Sequence, residues 1–290
     1  LVRRPDSRRH LAALASAHPG WPGEALHVAD VEDAAAIDAT IAALRPDVLF
    51  HLAGVTFVPD TVAAPAAALR VNALGAVHVF AAVQRHRPDC RVLAVGSGDA
   101  YGAIEPGELP VRETTPLRPL SPYGASKAAL DLIADQWARG AGLDIVRVRP
   151  FNHTGPGQRP DFVCPDFARQ IAAVARGEQA PVLAVGDLDL VRDFSDVRDV
   201  VAAYLAVCER GVRGEVYNVC SGVGRSIRSI LDALSAMAGV TVRTDSRPER
   251  MRQHPVPVIV GNADKLHAAT GWTPRIAWAD TLAAVLADWR

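Results

Sequence analysis

Short apolar runs alternate along this chain with longer stretches whose apolar residues return every three or four positions. The first pattern suits buried strands and the second suits amphipathic helices. Their alternation is what parallel βαβ units require. Strands are expected over residues 26–28, 48–52, 91–95, 144–148 and 215–219. Helices are expected over 31–43, 66–84, 123–140, 166–176, 197–209, 227–238 and 278–287. This is the pattern of an α/β fold built on a doubly wound parallel sheet, with helices on both faces. After Pro150 the rhythm becomes irregular and richer in Gly and Pro. The expected division is a main domain of 1–150, rejoined by 191–221, and a smaller C-terminal α/β domain of 151–190 and 222–290. No internal repeat or low-complexity tract interrupts it.

Composition narrows the classes of partner. A chain of 290 residues can bury a large core. Hydrophobic residues make up 49% and charged residues 22%, as in ordinary soluble domains. A formal net charge of −1 gives no electrostatic reason to expect nucleic acid or an anionic membrane as partner. Apolar runs such as 200–208 are too short to cross a bilayer, and no secretory leader is visible. The four cysteines form no Cys-x-x-Cys pair, so neither a metal site nor a disulfide framework is suggested. Free thiols in a reducing, cytoplasmic setting are expected.

The chemistry concentrates in Ser121-Pro122-Tyr123-Gly124-Ala125-Ser126-Lys127. Tyr123 and Lys127 stand four apart at the start of a helical stretch, so both point from one face. A cation beside a phenol favours the phenolate, and Lys127 is expected to bring the Tyr123 pKa down. Such a tyrosine gives a proton to a carbonyl oxygen or takes one from an alcohol. Only Lys127 and Lys265 are lysines among the 31 basic residues. A compact ammonium is therefore the exception here, and a guanidinium would not replace it. The run Val92-Leu93-Ala94-Val95-Gly96-Ser97 ends an apolar strand in a serine. The carboxyl ends of strands are where open α/β sheets take their ligands. Ser97, Tyr123 and Lys127 together suit carbonyl reduction; a solvated Tyr/Lys pair on a helix is the plainer alternative.

At these residues the chain resembles the extended short-chain dehydrogenase/reductase (NAD-dependent epimerase/dehydratase) family, in its nucleotide-sugar branch. The matching stretches are His51-Leu52-Ala53-Gly54, Gly96-Ser97-Gly98-Asp99-Ala100-Tyr101-Gly102, Ser121 to Lys127, Arg149-Pro150-Phe151-Asn152-His153, Arg192-Asp193-Phe194 and Tyr217-Asn218-Val219. They come in the family's order and cover nearly the whole chain. The resemblance implies a Rossmann-like main domain, a substrate domain for a nucleotide sugar, and NADPH as cofactor with NADH possible. It implies catalysis by Ser97, Tyr123 and Lys127. It also implies reduction of the C4 ketone of a nucleotide-linked 4-keto-6-deoxyhexose, GDP-4-keto-6-deoxy-D-mannose going to GDP-D-rhamnose. A 4,6-dehydratase or 4-epimerase of the same family is the alternative, and a non-catalytic nucleotide-binding protein a more distant one.

Residue by residue, the resemblance assigns cofactor contacts to Arg3, Arg4, Asp30, Val31, Leu52, Ala53, Gly54, Tyr123, Lys127 and Pro150. Arg3 and Arg4 suit the 2′-phosphate of NADP, where an acidic residue would suit NAD. Small residues at 53 and 54 let a cofactor approach the backbone. His51 reads as a strand residue of the core. Substrate contacts fall to Asp99, Asn152, Arg192 and Arg252, the two arginines gripping the diphosphate. In the family's dehydratases a glutamate occupies the place of Asp99, and some carry a further acid where this chain has Gly98. One short carboxylate there points to reduction instead. No cysteine lies near Ser97 and no histidine closely follows Pro156, so the acid–base pair of the epimerase-reductases is missing. The helices over 66–84 and 123–140 are the family's dimer elements, and a homodimer is implied. The family's Gly-rich first turn does not occur, and Leu1-Val2-Arg3-Arg4 reads as the end of a second strand. The expectation is that about 30 residues of the native protein precede this chain.

Overall fold

The computed structural model describes residues 27–251 and 256–290. Arg3, Arg4, Arg252 and the start of the first expected strand lie outside them. Among the described residues the main sheet has four parallel strands in the order β1-β2-β3-β7. Helix α1 (Ala34–Leu44) leads to β1 (Val48–His51). A short helix α2 (Val58–Ala63) and the long α3 (Pro65–His86) lead to β2 (Arg91–Val95). Helix α4 (Pro122–Gly140) then leads to β3 (Ile145–Pro150). The strand after the next crossover, β7 (Val216–Val219), pairs with β3 in parallel register.

Helices cover both faces, as the alternating pattern requires. On one side Ile37, Ile41, Val79, Phe80, Leu130 and Ala134 pack on Val92 and Ile145. On the other, helix α6 (Val197–Arg210) lays Val200, Tyr204 and Val207 against Leu93, Val146 and Val148. Buried on both faces, β2 and β3 carry the near-continuous apolar runs typical of central parallel strands. The exceptions are Arg147 and Arg149, both fully buried in β3.

The remaining elements form a second core. Strand β4 (Asn152–Thr154) follows β3 almost directly, and helix α5 (Val163–Ala175) and strand β5 (Val182–Val185) come next. Strand β6 (Val191–Asp196) pairs in parallel with β4, and antiparallel with β8 (Gly224–Ser226). Helix α7 (Ile227–Ala238) precedes β9 (Arg243–Ser246), which pairs with β5, and β10 (Val258–Ile259), which pairs with β6. Helices α8 (Asp264–Thr270) and α9 (Trp278–Ala287) close the chain. Phe167, Ile171, Leu183, Phe194, Ile230, Leu234 and Leu282 fill this core. The stretch 191–221 therefore divides. Its strand belongs to the second sheet, while α6 and β7 complete the main one.

Helix α3 runs longer than the expected 66–84 and contains a π turn at Arg70–Leu74. A π turn is a rare single-turn widening of an α-helix, and Asn72 lies buried within this one. Among the described residues α3 is long and apolar enough, by length and composition, to cross a membrane. That corrects the expectation that every apolar run is too short. Its apolar character is accounted for by the core, where Val71, Ala76, Val79, Phe80 and Val83 are buried. Short strands β4, β5, β6, β8, β9 and β10 and helices α2 and α8 were not expected from periodicity. Elements of two to seven residues carry too few positions to show a period.

Candidate active site

The site is assembled where β1, β2 and β3 end and helix α4 begins. Helix α4 starts at a point set by local chemistry. Ser121 caps it, its hydroxyl accepting the Gly124 N–H at 3.0 Å, and Pro122 takes the first helical position. That start sets Tyr123 in the first turn and Lys127 one turn on, on the face toward the sheet. Ser97 follows β2 and caps a single tight turn, its hydroxyl accepting the Asp99 N–H at 3.1 Å. The turn packs closely on α4. A side-chain carbon added at Gly124 would lie 2.6 Å from the Asp99 carbonyl oxygen. This proximity brings Ser97 into hydrogen-bonding contact with the Tyr123 phenol.

The electrostatics correct one expectation. The Tyr123 phenol is pushed up to about 12, first by burial and then by the nearby Asp99 carboxylate, while the Ser97 hydroxyl pulls it down. Lys127 does not lower it. The Lys127 ammonium, 3% exposed, donates to the Val95 carbonyl at 2.8 Å, and burial brings its pKa down to about 8. Helical spacing places a phenol and an ammonium on one face but does not decide which atoms the ammonium meets. Tyr123 is thus held as a protonated phenol, the form that donates.

Asn72 is a site residue that sequence reasoning missed. It is completely buried; its side-chain carbonyl accepts the Val55 N–H at 2.8 Å, and its amide donates to the Val55 carbonyl at 3.0 Å and to Ser126 Oγ at 2.8 Å. It ties the loop after β1 to the catalytic helix. A polar residue inside the apolar stripe Val71-Asn72-Ala73 was the available signal. His51 is a core residue, as expected. It packs edge-on to Phe80 with ring centroids 6.2 Å apart, and burial, then the Lys127 charge, bring its pKa down to about 4.

The remaining assigned residues fall in three places. Leu52, Ala53 and Gly54 leave β1 toward Lys127, with Leu52 exposed. Asp30 and Val31 lie before α1; the Asp30 carboxylate accepts the Glu32 N–H at 3.1 Å and Val31 is buried. Pro150 ends β3, with Asn152 two residues on in β4. Arg192 stands in β6 of the second sheet, buried, donating to the carbonyls of Val191 at 2.7 Å and Pro257 at 3.3 Å.

The residues present fit a nicotinamide dinucleotide. A side-chain carbon at Gly54 would meet Asn72 Oδ1 at 2.9 Å and Lys127 Nζ at 3.5 Å, so the loop passes within reach of the ammonium only as glycine. Small residues, a buried cation with donors to spare and a phenol meet at the carboxyl edge of a parallel sheet, where such folds take ligands.

The profile of the GDP-mannose 4,6 dehydratase family matches residues 4–285. The chain is 41% identical over 244 residues to a GDP-6-deoxy-D-mannose reductase of Pseudomonas aeruginosa, covering 84% of this chain and 80% of that one. It is 31% identical over 240 residues to a dTDP-glucose 4,6-dehydratase of Streptomyces niveus, covering 81% and 68%. The structure of RMD from Pseudomonas aeruginosa complexed with NADPH superposes with a TM-score of 0.87 at 38% identity, over 96% of this chain and 93% of that one.

Burying Lys127 opposes folding. Its folded pKa lies near 8, below the usual 10.5, so the unfolded chain holds more protons between these values. Stability therefore rises with pH from about 8 to about 10.5, and below that window the full penalty applies. Lys127→Met is expected to stabilise the protein at pH 7 by about 1–3 kcal/mol, the penalty less the lost hydrogen bond to Val95. The gain should shrink at pH 10, and turnover should be lost. Denaturant unfolding at the two pH values checks this.

Proposed function

Because the chain belongs to the GDP-mannose 4,6-dehydratase family, we propose that it is an NADPH-dependent reductase of the C4 ketone of GDP-4-keto-6-deoxy-D-mannose, giving GDP-D-rhamnose. One observation carries the choice within the family: the chain is 41% identical to a GDP-6-deoxy-D-mannose reductase, over 84% of its length. The glutamate that serves proton abstraction in the dehydratases is replaced here by the shorter Asp99. The buried Tyr123 phenol keeps its proton and can give it to a ketone oxygen.

Bound between Lys127 and the loop at Gly54, NADPH would supply the hydride for C4. As the carbonyl π pair moves onto oxygen, Tyr123 delivers its phenolic proton there and the Ser97 hydroxyl steadies the same oxygen. Positioned proton transfer of this kind contributes roughly 10²–10⁴ in rate. Lys127 stays cationic below about pH 8 and faces the loop at Gly54, where the nicotinamide ribose would lie. Arg192, with Arg252 from outside the described residues, would hold the diphosphate, and Asn152 and Asp99 would border the sugar. Arg3, Arg4, Asp30 and Val31 would take the adenosine end, and 151–190 with 222–290 would form the substrate domain.

We read the enzyme as a soluble, cytoplasmic homodimer. Leu69 and Leu74 on α3 and Leu132 on α4 are exposed, Leu132 at 64%, on the layer of helices that faces away from the sheet. A two-fold contact would pair these patches with each other.

Incubation with GDP-4-keto-6-deoxy-D-mannose and NADPH, followed by absorbance and product NMR, should show one NADPH consumed per sugar reduced at C4. Turnover of sugar without net NADPH loss would favour a dehydratase or epimerase. Tyr123→Phe should lower kcat by at least about 10²-fold with little change in KM. Arg192→Ala should weaken GDP binding by about 2–5 kcal/mol while leaving NADPH affinity intact, as read by calorimetry with each ligand. Leu132→Arg should convert a sedimenting dimer into a monomer at micromolar concentration; an unchanged dimer would exclude that face.

A further inference from the structure

The turn that carries Ser97 is one tight 3₁₀ turn. The Ala100 N–H donates to the Ser97 carbonyl at 3.2 Å and the Tyr101 N–H to the Gly98 carbonyl at 3.1 Å. Helix α4 lies against one side at Gly124. Phe151 lies against the other, its ring 3.2 Å from where a carbon at Gly98 would stand. Packing holds the two sides of the turn, and hydrogen bonds tether its far end. Tyr101 is 0% exposed; its hydroxyl donates to Asn218 Oδ1 at 2.7 Å and accepts from Arg149 Nη1 at 2.9 Å.

Arg149 carries the tether onward. Its Nε and Nη2 grip Asp131 Oδ1 and Oδ2 at 3.1 and 2.6 Å. Asp131 lies four residues, one helical turn, beyond Lys127 on α4. The path from Ser97 through Tyr101, Arg149 and Asp131 therefore returns to the helix that carries Tyr123. A buried phenylalanine would fill the same space without a hydroxyl to satisfy. The phenol keeps its proton throughout the working range, because burial pushes its pKa up to about 12.

We propose that the Tyr101 hydroxyl is a positioning group for the reduction, fixing the Ser97 turn against α4 so that Ser97 and Tyr123 meet the same carbonyl oxygen. The proposal deepens the reductase reading above and rests on it. Its effect should fall on chemistry and not on binding, since Tyr101, Arg149, Asp131 and Asn218 are all buried behind the turn. A misplacement of about 1 Å at reacting groups costs up to roughly 10²-fold in rate.

Tyr101→Phe tests it. The expected result is a fall in kcat of about 10–100-fold with KM for NADPH essentially unchanged, and a larger isotope effect with 4-deuterated NADPH as hydride transfer becomes slowest. A lower unfolding midpoint with unchanged kcat per folded molecule would mean a purely structural hydroxyl and overturn the proposal. If the Phe variant does not fold, Arg149→Lys takes its place; it keeps a charge for Asp131 but loses the reach to Tyr101, and the same fall in kcat is expected. Should the wild type fail to reduce the sugar nucleotide, the reductase reading falls. The positioning role is then decided by crystal structures of wild type and variant. A lengthened Ser97 Oγ to Tyr123 hydroxyl distance supports it, and an unchanged one overturns it.

Discussion

Asp131 places a carboxylate beneath two arginines in the interior of the protein, and the arrangement of the site depends on it. Arg147 and Arg149 project from the central strand β3, where apolar residues are the rule. Arg149 would be an uncompensated buried charge if Asp131 were lost, a loss typically of about 3–5 kcal/mol, while Arg147 would keep Asp135. Arg147 reaches Asp131 Oδ2 at 3.2 Å and Asp135 at 2.6 Å, while Arg149 takes both oxygens of Asp131. Both acids belong to α4. The ion cluster therefore locks the rotation and height of that helix on the sheet, which apolar packing alone leaves less sharply defined. Tyr123 and Lys127 inherit their positions from that lock.

The site's own groups work against stability. Lys127 keeps a charge that burial disfavours, and His51 beside it is held neutral by the same burial and by the Lys127 charge. Charging His51 adds a second penalty in acid. Its folded pKa lies near 4, below the usual 6.5, so the unfolded chain binds the extra proton as pH falls through that window. Stability from this group is present above about pH 6.5 and is lost toward pH 4. The Tyr123 phenol is spared such a penalty because its neutral form is the one that burial favours. One desolvated neighbourhood thus yields a neutral acid, a neutral imidazole and a single cation.

Much of this was legible in the chain. Strand 91–95 and helices 227–238 and 278–287 coincide with the observed elements, because long periodic stretches between clear turn residues leave little choice of boundary. Ser97, Tyr123 and Lys127 could be singled out as candidates because their relation is local: a strand end and a helical spacing. Asn72 and Tyr101 were not singled out. Their partners, Val55 and Ser126 for one and Asn218 and Arg149 for the other, lie 17 to 117 residues away. The expected lowering of Tyr123 by Lys127 failed for a related reason. Spacing reports which side chains share a face, but burial and the approach of Asp99 come from the tertiary fold.

The two halves of the molecule are joined at one further carboxylate. Asp193, next to Arg192 in β6, is fully buried. It accepts the Ser221 N–H at 2.8 Å, the Ser221 hydroxyl at 2.6 Å, the Gly222 N–H at 2.9 Å and the Gly261 N–H at 3.3 Å. Ser221 and Gly222 leave the main sheet at the end of β7, and Gly261 follows β10. Burial raises the Asp193 pKa, and these four donors oppose the rise by favouring the carboxylate. Since β6 also pairs with β4, which continues from β3, the second sheet is held to the first at two points. A ligand spanning both halves would meet a surface of fixed width. Under the proposed roles, with Arg192 at the diphosphate and Tyr123 at the ketone, one end of a nucleotide sugar would rest on each sheet.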